Sequence, residues 1–261
     1  KAGEPFAQKV EEEIAGRPPA APGGVPVEVT VGAATVRPMP RLGLAVPAAH
    51  LAAAERLVPL LRQARPFFIV GEMDLRQPHG PDELAGYQRL ARLLDAELVV
   101  EAMLPCADAG GQPTDDPTAL RADLARLRAG ADRAGVTIGR LILSPAYYLK
   151  SYQPDATWPK APPLERVYAE ARGAFPGVKV GGGMLSYFTE LNRKRPPAAA
   201  LDFIGHSLCP LVHAADDISL TEGLEALPTL LLSTRAFAGG KPYWLYPTAI
   251  SMRSNPYGAA P

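Results

Sequence analysis

Only two cysteines, Cys106 and Cys209, occur in the 261 residues. They could pair with each other, but neither stands in a CxxC or any other staple pattern, so a disulfide framework is not expected. We read both as buried or site-edge thiols, which points to a reducing compartment. An excess of charge of one sign is missing too. Lys and Arg number 27, Asp and Glu number 27, and the formal net charge is zero. That excludes the basic field that holds nucleic acid and leaves no polybasic run for an anionic membrane. No apolar run is long enough to span a bilayer, and no signal peptide opens the sequence. The expectation is a cytoplasmic protein without nucleic-acid or membrane partners, acting on a neutral small molecule. Closely spaced zinc ligands such as His-x-His or HExxH are also lacking, so neither metal nor cofactor is expected.

What is present is a repeated grammar. From Arg41 onward, short apolar runs alternate with longer segments of helical spacing. The runs are RLGLAVPA (41–48), FFIVGEMDL (67–75), ELVVEAML (97–104), RLILSPA (140–146), KVGGGML (179–185), DFIGHSLCP (202–210) and KPYWLYPTAI (241–250). Between them lie stretches such as PDELAGYQRLARLLDA and DDPTALRADLARLRAGADRAG, whose apolar residues recur near every 3.6 positions. Strands buried on both faces and separated by helices mean a parallel sheet. Seven such strands, with no GxGxxG after the first, favour a closed barrel over a doubly wound sheet. The predicted fold is therefore α/β, a TIM-type (β/α)8 barrel over residues 41–261. Its eighth strand is expected beyond Pro261, in a longer protein of which this is a piece. Residues 1–40 differ. They read as a helix or acidic lead-in over 1–16, a Pro/Gly-rich stretch, and one or two short strands within 26–37 left from an N-terminal β-domain.

In such a barrel, chemistry collects where the strands end, because those side chains share one bowl. Glu72 and Asp74 close the second run. A bland alternative for Glu72 is a salt bridge to Arg76. Glu101 stands inside the third run, where a charge costs several kcal/mol unless it is paired or neutral. It reads either as a functional carboxylate or as half of an internal ion pair low in the barrel. After the fourth run, Tyr147 and Tyr148 suit a platform for a sugar-like ring, with at least one of them expected simply to pack. The fifth carries Gly181, Gly182 and Gly183, which relieve crowding or, less simply, cradle a phosphate. Tyr187, Glu190 and Asn192 follow. The sixth carries His206, an acid/base group near neutral pH, with Cys209 and His213 beyond it. Asp216 or Asp217 reads as a helix N-cap. The seventh ends in Tyr246, and Arg253 behind it has the fork to clamp a carbonyl oxygen.

The segments GGGMLSYFTELNR, DFIGHSLCPLVHAADD, LEALP and RAFAGGKPYWLYPTAISMRSNPYG resemble the barrel domain of the D-apionate lactonase family, with likeness from Arg41 to Gly258. The resemblance implies a β-domain, a glycosidase-like barrel and a second β-domain. It also implies hydrolysis of a sugar lactone, D-apionolactone, to the open aldonate in apiose catabolism. Retaining glycosidases with such a barrel carry glutamates after the fourth and seventh strands. Here those strands end in SPAYY and LYPTA, without a carboxylate.

Lactone hydrolysis needs a base for water, a donor for the oxyanion and an acid for the leaving alkoxide. The expectation is that Glu190 and His206 serve as the acid/base pair. Glu72, Asp74, Glu101, Tyr147, Tyr187 and His213 would bind the sugar, while Asn192, Tyr246 and Arg253 stabilise the oxyanion. Two other readings stay open: a glycoside hydrolase with unusually placed carboxylates, and a non-catalytic carbohydrate-binding barrel.

Overall fold

In the computed structural model, the residues described are 39–250 apart from 154, 212, 213 and 215, together with 30, 32, 33 and 252. The chain divides into two units, Lys1–Pro40 and Arg41–Pro261. In the first, Thr30, Gly32 and Ala33 are exposed coil. The expected helix over 1–16, the rest of the 26–37 strands and the eighth barrel strand lie outside the described residues.

Each apolar run of the second unit becomes a strand: β1 (Gly43–Val46), β2 (Phe68–Asp74), β3 (Glu97–Leu104), β4 (Arg140–Pro145), β5 (Lys179–Met184), β6 (Phe203–Leu208) and β7 (Tyr243–Thr248). The helices are α1 (Leu51–Arg56), α2 (Val58–Leu61), α3 (Pro81–Leu94), α4 (Pro117–Ala134), α5 (Leu164–Ala174), α6 (Phe188–Lys194), α7 (Asp217–Gly223) and α8 (Leu227–Phe237). Local chemistry sets their ends. Asp116 caps α4 by accepting from the Thr118 N–H at 2.8 Å, and Gly135 at φ +64° stops it. At α3, Glu83 reaches back to accept from the Gly80 N–H at 2.7 Å. Among the described residues no helix is long and apolar enough to cross a membrane.

All seven strands join one parallel sheet in sequence order. Alternate residues face opposite sides. Ile69, Met73, Val100, Leu141, Val180 and Ile204 pack outward against the helices. Val70, Val99, Met103, Ile142, Leu185, Phe203 and Tyr246 form a separate inner cluster. Trp244 on β7 stacks on Phe203 at 4.5 Å and lies 5.2 Å from Phe68 on β2. A second strand and a seventh meet across the interior only if the sheet curls on itself, as a (β/α) barrel does. These rings sit at the strand starts, so they plug the N-terminal end. Arg140 lies over Trp244 and pairs with Glu97 there. Glu97 and Arg140 thus form an ion pair low in the barrel.

Candidate active site

With the N-terminal end plugged, the polar inward residues gather towards the strand ends. Glu72 and Glu101 are register partners on β2 and β3. Both share the inward phase of Val70 and Val99, so two carboxylates stand side by side on the inner wall. Glu101 is only 1% exposed. Glu72 Oε2 accepts from the Ala48 N–H, just after β1, at 3.1 Å. Arg76 pairs with Asp74 rather than with Glu72: Nη2 donates to Oδ2 at 2.8 Å and Nε to Oδ1 at 3.0 Å. Burial pushes the Asp74 carboxyl up, but the hydrogen bonds and charge of Arg76 outweigh it and hold it below the ordinary range.

Tyr246 crosses the interior from β7 to β5, its hydroxyl donating to the Gly182 carbonyl at 2.6 Å. Burial raises this phenol well above its ordinary value, and Tyr168 and Glu101 add to the effect. It is therefore a neutral wall of the site beside Glu101. The glycines make room for it. A Cβ on Gly205 would lie 2.7 Å from the Tyr246 ring, and one on Gly181 would lie 2.1 Å from Phe203. The glycine run relieves crowding, and its backbone is buried.

The far side of the mouth comes from β4, β5 and α6. Tyr148 is buried, whereas Tyr147 is half-buried. Burial raises the Tyr147 phenol, Cys106 and Asp108 raise it further, and Arg76 opposes them, which sets Tyr147 among the loops after β2 and β3. Glu190 is the third residue of α6 and is 3% exposed. Its Oε2 accepts from the Tyr187 N–H at 3.2 Å. Its buried Oε1 has no hydrogen-bond partner among the described residues. Such an orphan oxygen costs stability unless something else binds it. Asn192 is exposed and turned away. It accepts from Arg195 Nη2 at 2.9 Å and lines, with Phe188 and Phe237, a groove of about 410 Å³ between α6 and α8.

His206 differs most from expectation. Its ring is fully buried and faces the helices, 5.8 Å from Phe188 of α6. Its strand neighbours in phase, Ile204 and its register partner Met184, belong to the outer core. The inward residues of β6 are Phe203, Gly205 and Ser207. His206 Nδ1 lies 2.8 Å from the Ser207 carbonyl and Nε2 lies 2.5 Å from the Tyr243 hydroxyl. A neutral ring satisfies both, with Nδ1–H donating and Nε2 accepting. Burial lowers its pKa, against the raising effect of the Ser207 hydrogen bond. The unfolded chain takes up the proton near pH 6.5, and the folded one resists. This contribution is complete above that pH and is lost as pH falls towards the folded value, by at most about 1.4 kcal/mol per pH unit. Denaturant titrations between pH 7 and 5 should show a shallower loss of stability in His206→Gln than in the parent. Equal slopes would refute the assignment.

His213 and Arg253 lie outside the described residues. Cys209 Sγ contacts the carbonyls of Leu211 at 2.9 Å and Ile250 at 3.2 Å and has no histidine partner among the described residues. Asp216 caps α7 by accepting from Ser219 N–H at 2.9 Å. Sequence reasoning overlooked Ser207, whose N–H and hydroxyl bind the carbonyls of Ser186 and Leu185, each at 2.8 Å, tying the ends of β5 and β6 together. No signal in the sequence finds it, because a strand apolar on both faces does not say which of its residues point inward.

A family model described as D-apionate lactonase, TIM barrel domain, matches residues 42–261. A curated D-apionate lactonase of Brucella anthropi is 39% identical over 234 residues, which is 90% of this chain and 37% of that protein. The chain therefore spans 37% of the length of that relative. Among solved structures, a fungal β-1,4-galactanase is 13% identical, with 79% of this chain and 73% of that one covered and a TM-score of 0.49. A β-glucuronidase from Ruminococcus gnavus is 11% identical, with 81% and 34% covered and a TM-score of 0.49.

Proposed function

Since this chain belongs to the D-apionate lactonase family, we propose that it is the catalytic barrel of a hydrolase that opens a sugar lactone, of the D-apionolactone kind, to its aldonate. The observation that carries the site is the Glu72–Glu101 pair, side by side on the inner wall beyond an aromatic plug. One carboxylate of such a pair can take a proton while the other holds a sugar hydroxyl.

In this reading, Glu101 removes a proton from water as the water oxygen bonds to the lactone carbonyl carbon. Arg76, steadied by Asp74, faces the negative charge that gathers on the carbonyl oxygen. The ring C–O bond then breaks, and the leaving alkoxide takes a proton from Glu190, whose buried Oε1 has no hydrogen-bond partner among the described residues. Glu72 and Tyr147 bind hydroxyls of the sugar. His206 takes no part in these steps, because its ring lies behind the wall.

The test is turnover by the full-length protein of a panel of sugar lactones and aryl glycosides, followed by acid release and aglycone release respectively. Lactone opening without glycoside cleavage is expected. Cleavage of glycosides alone would replace this reading with a hydrolase built on the same carboxylate pair. No turnover, with sugar binding retained, would mean a binding barrel.

A further inference from the structure

The segment that follows β4 is gripped by two consecutive cations at the end of α6. Lys194 Nζ lies 4.7 Å from the centroid of the Tyr148 ring and 5.0 Å from that of Trp158. Arg193 Nη1 donates to Ser151 Oγ at 2.8 Å. Neighbouring residues on a helix point about 100° apart, so the two grips meet the segment at different places. Trp158 is also packed 5.1 Å from Tyr152 and 6.2 Å from Tyr148, making one aromatic cluster beneath the ammonium group. Ser186, at the end of β5, donates to the Tyr148 carbonyl at 3.4 Å.

Tyr148 is the pivot of this arrangement. It is buried, and it sits in a single 3₁₀ turn, Ala146–Leu149, with Tyr147. Successive residues of such a turn point about 120° apart. Holding Tyr148 on the α6 side therefore turns Tyr147 the other way, towards Arg76 and Asp108 on the loops after β2 and β3. A cation is drawn to the electron-rich face of an aromatic ring, and here one ammonium serves two faces.

We propose that Lys194, assisted by Arg193, is a positioning residue that clamps the segment after β4 and thereby aims Tyr147 at the bound sugar. The proposal rests on the lactonase reading above. The experiment uses the full-length protein with Lys194→Met, Lys194→Arg and Arg193→Gln. Peptide-resolved hydrogen exchange should show residues 147–153 and 156–163 exchanging about tenfold faster in Lys194→Met, with β5 and β6 unchanged. KM for the lactone should rise about tenfold while kcat stays within about twofold, as expected when binding common to ground and transition state is lost. Lys194→Arg should restore both, and Arg193→Gln should show a weaker form of the same pattern. Unchanged exchange in Lys194→Met would overturn the clamp, and faster exchange with an unchanged KM would overturn its role in aiming Tyr147. The exchange arm needs no substrate. If the wild-type protein opens no lactone, the functional reading fails, and exchange still decides whether the clamp exists.

Discussion

Glu101→Gln is expected to lower kcat for lactone opening by about 10²- to 10⁴-fold, the range for loss of a general base. The substitution keeps the shape of the side chain and removes its proton-accepting charge. The side chain is buried beside its register partner Glu72, so bulk water cannot easily substitute for it. KM should change little, because the lost interaction belongs to proton transfer in the transition state. Glu72→Gln should do the reverse, raising KM more than it lowers kcat, if Glu72 holds a sugar hydroxyl. Steady-state rates across a pH series distinguish the two. Near-parental kcat in Glu101→Gln, with collapse in Glu190→Gln, would move the base to α6 and overturn the assignment.

Gly183→Ala is expected to destabilise the fold by about 3–5 kcal/mol, lowering Tm by about 10 °C or more. Gly183 has φ +125°, and a Cβ there would lie 1.9 Å from the Gly205 carbonyl oxygen on the next strand. The obstacle is backbone held in register, Gly183 opposite Gly205, so it cannot rotate away. Moving it would also disturb Tyr246, which fills the space over Gly205. Gly173→Ala is the control. Gly173 is an exposed residue of α5, and a methyl group added to it would meet nothing within 4 Å. There alanine should gain about 0.5–1 kcal/mol through helix propensity. Denaturant unfolding of both variants checks the contrast. A Gly183→Ala protein as stable as its parent would mean that β5 and β6 do not approach so closely.

Much of this was legible in the residues. Short apolar runs marked all seven strands, because a doubly buried strand needs apolar side chains on both faces. The longer helices were equally plain from their 3.6-residue spacing; α6 was not, because a segment as short and polar as Phe188–Lys194 shows no such repeat. Glu101 stood out as a charge inside an apolar run, and the glycines of β5 pointed to crowding. The exposed position of Asn192 was not legible: it is the fifth residue of α6, and its direction depends on how α6 packs beside α8.

His206 shows where the boundary lies. The sequence by itself determined which segments are strands, their parallel order and the end at which polar residues collect. It did not determine the phase of β6. A strand apolar on both faces lacks the polar alternation that would say which residues point inward. That choice was made by tertiary packing: Gly205 yields its inner space to Tyr246, Phe203 stacks on Trp244, and His206 is turned towards Phe188 and Tyr243. The partners of charges were decided in the same way, Arg76 by Asp74 and Arg140 by Glu97, because an ion pair depends on positions in space that only the closed arrangement of strands supplies.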